Sequence, residues 1–321
     1  MLYLVIFIGL VLLELGYFYV ADKFNIIDKP NQRSSHTRIT LRGGGIIFLF
    51  GAWIFWALSG WEYTWFMVGL SLVGLISFMD DVRSLPDSLR LIIQFVAMGL
   101  MFYQFGILNW NDWWMVIIAL IVSVGIINAY NFMDGINGIT GGYSIAVPLP
   151  LIFLNYEYEF ITMSYLYIVG LSLLVFCIFN FRKKAKCFAG DVGAISMAFI
   201  LLFAIGLLIL KTQDFAYIVF LAVYGADAIL TIVHRIQLHE NLGQAHRKHA
   251  YQIMANELKV PHVNVSLFYM FLQLAISFGM IFIPINHYIY LGIIIILLGG
   301  SYIVFMKKNY HLHEKYLNSL K

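Results

Sequence analysis

The sequence predicts an all-α, polytopic membrane protein with about eleven transmembrane helices. Three observations predict it. The 321 residues are 61% hydrophobic and only 12% charged, where a soluble domain is nearer half apolar and a quarter charged. Apolar runs of about 16 to 22 residues recur along the whole length, and about 20 such residues cross a bilayer as a helix. The remaining charge is sorted: 19 of the 20 Lys and Arg residues fall in one alternate set of connections, Lys211 being the exception.

The expected spans run over about 2–21, 43–60, 64–79, 91–108, 113–130, 141–155, 160–181, 193–210, 215–233, 263–286 and 288–306. The first, LYLVIFIGLVLLELGYFYVA, has no basic segment ahead of it and no small-residue cleavage site. It is therefore expected as a retained helix and not as a signal peptide. Short connections (WEY, NWND, YEYE, KTQD, NHY) alternate with longer ones over 22–42, 80–90, 131–140, 182–192 and 234–262, with a tail at 307–321. The longer set carries the basic residues, and basic residues near helix ends favour the cytoplasm. The expected orientation puts the N-terminus outside, the C-terminus in the cytoplasm and every long loop on the cytoplasmic face. One integral-membrane domain over 1–321 is expected, without internal repeats. Cys177 and Cys187 imply no disulfide framework.

The chemistry-bearing residues gather in those longer loops. Asp80, Asp81, Asp134 and Asp191 all fall at the cytoplasmic ends of expected spans, as one site at a single membrane depth requires. Charges inside a bilayer are costly and collect at protein-lined or aqueous sites. FMDDVRSLPDSLR (78–90) sets two carboxylates side by side. Their repulsion suggests a cation, and all-oxygen ligation suggests Mg²⁺ or Mn²⁺; a DD pair is also a common helix end. CFAGDVGAIS (187–196) places glycines on both sides of Asp191 just before a helix, and a helix N-terminus favours phosphate. A simple aspartate N-cap reads the same way. NAYNFMDGINGITGG (128–142) holds amides and a carboxylate suited to a nucleobase, ribose or sugar, with glycines that would admit a ligand closely; an ordinary turn is the alternative. HRIQLHENLGQAHRKHAYQ (234–252) brings His246, Arg247, Lys248 and His249 together. That set suits a diphosphate better than zinc, or a basic loop against anionic lipid. RSSHTRITLRGGG (33–45) adds Arg33, His36, Arg38 and Arg42 ahead of a glycine triplet, a candidate headgroup patch. Asp227 is expected to pair with Arg235 or to orient His234, as a structural or a catalytic group.

Together these segments resemble the polyprenyl-phosphate N-acetylhexosamine-1-phosphate transferases, over nearly the whole chain and in order. MDDVRS looks like the family's DD motif, NAYNFMDGINGITGG like its N-x-x-N-x-x-D-G-x-D-G signature and FAGDVGAIS like its glycine–aspartate element. RSSHTRITLRGGG looks like its first cytoplasmic loop, and AHRKHAYQ is similar to the histidine loop of the O-antigen-initiating branch. Asn137 departs from the family by standing where a second aspartate is usual, and Ile39 and Leu41 stand where prolines are usual.

The resemblance implies transfer of N-acetylhexosamine-1-phosphate from a UDP-sugar to undecaprenyl or another polyprenyl phosphate. UMP would be released at the cytoplasmic face of a bacterial inner membrane, starting an O-antigen, cell-wall or related glycan. It implies Mg²⁺ or Mn²⁺ on Asp191. It further implies catalytic roles for Asp80, Asp81, Asp191, His246, Arg247 and His249, and substrate contacts from Arg33, His36, Asn128, Asn131, Asp134, Asn137 and Phe188. For Asp80 and Asp81 an electrostatic and positioning role is preferred to that of a base or a nucleophile, both of which stay open, because a phosphate monoester with a second pKa of about 6 is already largely ionised. The expected partners are the UDP-N-acetylhexosamine donor, the polyprenyl phosphate and the bilayer; no nucleic acid is expected, and the oligomeric state is open, a homodimer included. Two other classes compete. A secondary transporter would place its polar sites near the bilayer midplane, and a CDP-alcohol phosphatidyltransferase would carry a denser aspartate signature on fewer spans.

Overall fold

The structure is a computed structural model that describes residues 1–30, 34–108, 111, 113–244 and 246–319. Ten of its helical spans are long and apolar enough to cross a membrane, and a shorter apolar helix covers Ile46–Leu58. These eleven elements coincide with the eleven expected spans. In chain order the helices are α1 (Leu2–Lys23), α2 (Ile46–Leu58), α3 (Thr64–Val82), α4 (Asp87–Phe105) and α5 (Trp113–Phe132). There follow α6 (Ile139–Ile145), α7 (Pro148–Tyr158), α8 (Met163–Asn180), α9 (Gly190–Thr212), α10 (Ala222–Gln237), α11 (Ala250–Asn256), α12 (His262–Phe282) and α13 (His287–Ser319). Among the described residues the sheet content is one antiparallel pair, β1 (Ile27–Asp28) with β2 (Thr40–Leu41).

Local sequence explains the boundaries. Pro148 opens α7 at its first turn and divides one span into α6 and α7, since proline has no N–H to continue the preceding ladder. Pro86 and Pro261 precede α4 and α12 in extended backbone. Two expectations change. The tail after residue 306 is no loop: α13 runs unbroken for 33 residues, about 50 Å at 1.5 Å per residue, well beyond a hydrocarbon core of about 30 Å. The long loop after α10 is also partly helical, because α11 forms within it.

α9 is the central helix, buried along nearly its whole length. Phe199 and Phe203 stack on Phe66 of α3, with centroids at 5.6 and 3.9 Å, and Tyr165 of α8 closes the cluster. The outward faces of α1, α5 and α13 are apolar and exposed, as lipid contact requires. Trp61, Trp65, Tyr103, Trp113, Trp114, Tyr156 and Tyr288 are exposed near helix ends, the aromatic placement found at membrane interfaces. α1 carries an inward carboxyl group: Glu14 is fully buried and accepts from the Cys187 thiol at 3.6 Å.

Candidate active site at one end of the bundle

The first long loop is bound to the start of α9. Gly44 and Gly45 donate to Phe188 and Ala189 carbonyls at 2.8 and 3.0 Å, and Phe188 donates to Leu41 at 2.8 Å. The triplet is glycine for packing. A Cβ on Gly45 would overlap the Gly193 backbone, and one on Gly44 the Cys187 side chain. Gly190, at φ +69°, faces Asp81 Oδ2 and Gly43 N.

The two adjacent aspartates part ways. Asp81 Oδ1 accepts the Asp191 N–H at 2.9 Å and its Oδ2 accepts the Val192 N–H at 3.0 Å. It thereby caps α9 from another helix, satisfying two of the free donors that every helix start leaves. Arg42 Nε also donates to Asp81 Oδ1, at 2.5 Å. Asp80 accepts the Leu85 N–H at 2.6 Å and Arg90 Nη1 at 2.7 Å. Asp191 joins the two halves: Arg42 Nη2 reaches its Oδ1 at 3.0 Å and Arg90 Nη1 its Oδ2 at 2.7 Å. The carboxylate repulsion is met here by two guanidiniums. Burial opposes the charge on Arg42, yet Asp81 and Asp191 hold it above its ordinary range.

This ionic cluster edges a polar chamber of about 390 Å³. Its wall includes Arg42, Asp191, Asn131, Asp134, Asn137 and Gln252, with His36 and Phe188 as an aromatic side. The His36 and Phe188 rings lie edge to face at 4.7 Å. Asp134 accepts the Thr140 hydroxyl at 2.6 Å; burial pushes its carboxyl up to about 6, and the Thr140 hydrogen bond limits the rise. Asn137 uses Nδ2 to hold the Arg182 and Lys183 carbonyls at 3.1 and 3.2 Å. An aspartate could not donate there, which accounts for asparagine at this position. A second, more open cavity of about 770 Å³ adjoins through His36, Asn137, Phe188 and His262 and is fringed by Arg38, Lys183, Lys184 and Lys186.

A metal ion fits the donor set at the ionic edge. Arg90 Nη1 already stands as a cation 2.7 Å from both Asp80 Oδ2 and Asp191 Oδ2, and Mg²⁺ takes one or two carboxylates with substrate phosphates. Among the described residues no three Asp, Glu, His or Cys side chains form a ready-made cage, so the remaining ligands would come from substrate and water.

Several expected site residues lie elsewhere. Asn128 donates to Gln94 Oε1 at 2.7 Å and to the Val124 carbonyl at 2.8 Å inside the helix layer, away from the chamber. The glycines of its segment pack against protein: Gly138 against the Phe181 ring, Gly141 against Cys177 and Gly135 against Tyr251. The histidine loop turns its charges away. Arg247 pairs with Glu257 at 2.8 Å and covers the Tyr316 ring of α13 at 3.8 Å, while Lys248 pairs with Glu240. His249 is buried with Nδ1 3.4 Å from Asp227 Oδ1. His246 stacks on His249 at 5.1 Å; burial, then the neighbouring His249, push it down to about 3. Asp227 pairs with neither Arg235 nor His234: Arg235 binds Glu240 and the loop carbonyls of Asn241, Leu242 and Gln244. Arg33 lies outside the described residues.

Arg90, Gln252 and His262 are site residues that the sequence reading passed over. Arg90 and Gln252 stood inside quoted motifs. The usable signals were an Asp87–Arg90 pair at i,i+3 and a glutamine three residues into a helix, the capping-box position. Two apolar cavities of about 430 and 450 Å³ contain none of these residues.

The chain is similar to several known proteins. The family described as glycosyl transferase family 4 matches residues 63–210. The phospho-N-acetylmuramoyl-pentapeptide-transferase of Thermotoga neapolitana is 30% identical over 208 residues, 59% of this chain and 67% of that protein. The protein of the same name from Thermotoga maritima is 31% identical over 175 residues, 49% of this chain and 57% of its own length. The undecaprenyl-phosphate alpha-N-acetylglucosaminyl 1-phosphate transferase of Escherichia coli K12 is 25% identical over 200 residues, 56% of this chain and 54% of that one. The chain thus spans a little over half the length of most of these curated relatives.

Proposed function

The chain belongs to glycosyl transferase family 4, and from that premise we propose that it transfers an N-acetylhexosamine-1-phosphate from a UDP-sugar to undecaprenyl or another polyprenyl phosphate. One observation carries the proposal. The half-buried Asp81–Arg42–Asp191–Arg90–Asp80 chain opens on a polar chamber at one end of a membrane-spanning bundle. A soluble, anionic donor and a lipid-borne phosphate can meet only at such an edge. A transporter's site near the bilayer midplane does not share this placement. The relatives' names supply the acceptor and sugar classes; the uridine carrier and the O-antigen branch rest on the motif resemblance.

In this reading an acceptor phosphate oxygen attacks the sugar-bearing phosphorus of the donor. One phosphoanhydride bond forms as another breaks, and UMP leaves with the electron pair. Arg42 and Arg90 exchange part of their contact with Asp191 for phosphate oxygens and stabilise charge in the transition state. Asp191, with Asp80 beside it, would hold Mg²⁺, which when bound neutralises charge on the diphosphate. Phe188 and His36 offer a face for the uracil, and Asn131 and Asp134 line the nucleotide or sugar. Asp80 acts electrostatically, since both its oxygens already accept hydrogen bonds and the acceptor is ionised at neutral pH. The chamber faces the cytoplasm of a bacterial inner membrane, with the N-terminus outside.

Purified protein with undecaprenyl phosphate, Mg²⁺ and a panel of UDP-sugars tests this by UMP release. Lipid-dependent release is expected, abolished by EDTA and restored by Mg²⁺ or Mn²⁺. Free sugar phosphate without lipid-linked product would overturn the transferase.

A further inference from the structure

We propose that Gln252 is a further contact to a hydroxyl of the donor, and that buried Asp227 is the positioning residue that sets it there; this rests on the transferase reading above. Asp227 lies in α10 at 4% exposure. Its Oδ1 accepts the Ala250 N–H at 3.0 Å and the Thr231 hydroxyl at 3.1 Å. Its Oδ2 accepts the Tyr251 N–H at 3.3 Å and the Tyr269 hydroxyl at 2.7 Å. Two of these four donors are the first N–H groups of α11, so a carboxylate from α10 caps α11, as Asp81 caps α9. A seven-residue helix has little stability of its own, and its direction follows from that anchor.

α11 presents Gln252 to the chamber. Gln252 Oε1 accepts the His249 N–H at 3.3 Å, which orients the carboxamide because only its oxygen can accept. Nε2 then makes no hydrogen bond among the described residues and sits beside Gly135, where a Cβ would meet it at 2.9 Å. Next to Gly135 is Asp134, an acceptor in the same wall. A free donor and an acceptor carboxylate in one chamber wall match a hydroxyl, which accepts from one and donates to the other. The diphosphate takes the arginine edge instead. Tyr251 closes the arrangement from behind, donating to the Phe132 carbonyl at 3.0 Å and tying α11 to the Asn131–Gly135 turn. The histidine loop therefore contributes a carboxamide to the chamber, and its charged side chains brace it.

The test uses full-length protein in nanodiscs with two separate readouts. Wild-type UMP release tests the transferase by itself. Affinity for the UDP-sugar, measured by calorimetry without acceptor lipid, tests the contact. Gln252→Ala should weaken donor binding about tenfold, the worth of a good hydrogen bond, with the acceptor KM unchanged. Asp227→Asn should weaken it as much, because an amide N–H would face donors on whichever side it lay, and the double variant should be no weaker than the poorer single. Tyr269→Phe removes one of the four donors and folds more safely; a two- to threefold weakening is expected. Wild-type donor affinity in Gln252→Ala, or effects of Gln252→Ala and Asp227→Asn that multiply, would overturn the proposal. So would a Tyr269→Phe variant that loses thermal stability while its folded fraction binds donor normally.

Discussion

Two loops of this protein carry nearly the same residue types and use them in opposite ways. At the α3–α4 edge, Arg42 and Arg90 reach three aspartates beside the chamber, where a phosphate can draw them off. In the histidine loop, Arg247, Lys248 and Arg235 are joined to Glu257 and Glu240, and the pairs of Arg247 and Lys248 point away from the chamber. The first arrangement is a reagent held in waiting. The second is a brace between α10, α11 and the part of α13 that extends beyond bilayer length. Charge in a loop near an active site is thus not by itself a sign of chemistry; the partner decides.

The largest effect should come from breaking the first set at its junction. Asp191→Asn should lower turnover on the order of 10²–10³-fold while the protein still folds, because the α9 cap belongs to Asp81. Near-wild-type UMP release would remove Asp191 from the chemistry. Arg90→Met should cost on the order of 10²-fold in kcat with donor affinity little changed, since this guanidinium is to stabilise developing charge; a pure loss of donor affinity would assign it to binding alone.

The brace should answer differently. Arg247→Met leaves Glu257 buried with His313 alone, and breaking a buried pair costs up to about 3–5 kcal/mol. The expected result is a lower thermal midpoint with kcat within a few-fold for the folded fraction. A hundredfold fall in kcat at unchanged stability would return Arg247 to the diphosphate. The smallest effect concerns pH. His246 is pushed down to about 3 from an ordinary 6.5, so the unfolded chain binds its proton more readily. Its contribution to stability is fully present above about pH 6.5 and lost as pH falls towards 3. His246→Gln should blunt that acid-side loss and leave the pH–rate profile above pH 5 unaltered; a vanished kinetic limb near pH 6.5 would show that His246 titrates in catalysis.

How much was legible follows from the range of each signal. The spans could be read because about 20 apolar residues must be contiguous to cross a bilayer. The motifs around Asp80, Asp134 and Asp191 could be read because aspartate is rare beside long apolar runs. The split between Asp80 and Asp81 could not, because it depends on where α9 starts relative to α3. Asn128 looked like Asn131, but its position three residues further into α5 points it at Gln94. Arg90 was hidden because Asp80 and Asp191 reach it from other helices, and Gln252 because the rest of its chamber wall is built by other elements.

The sequence by itself determined the membrane bundle, the number of its apolar spans and the end at which the aspartates collect, because hydropathy and local composition act over neighbouring residues. Only the tertiary structure decided which charges face the chamber and which hold the walls. That choice depends on donors supplied from distant elements: the first N–H groups of α9 met by Asp81, those of α11 met by Asp227, and Glu257 waiting beneath Arg247.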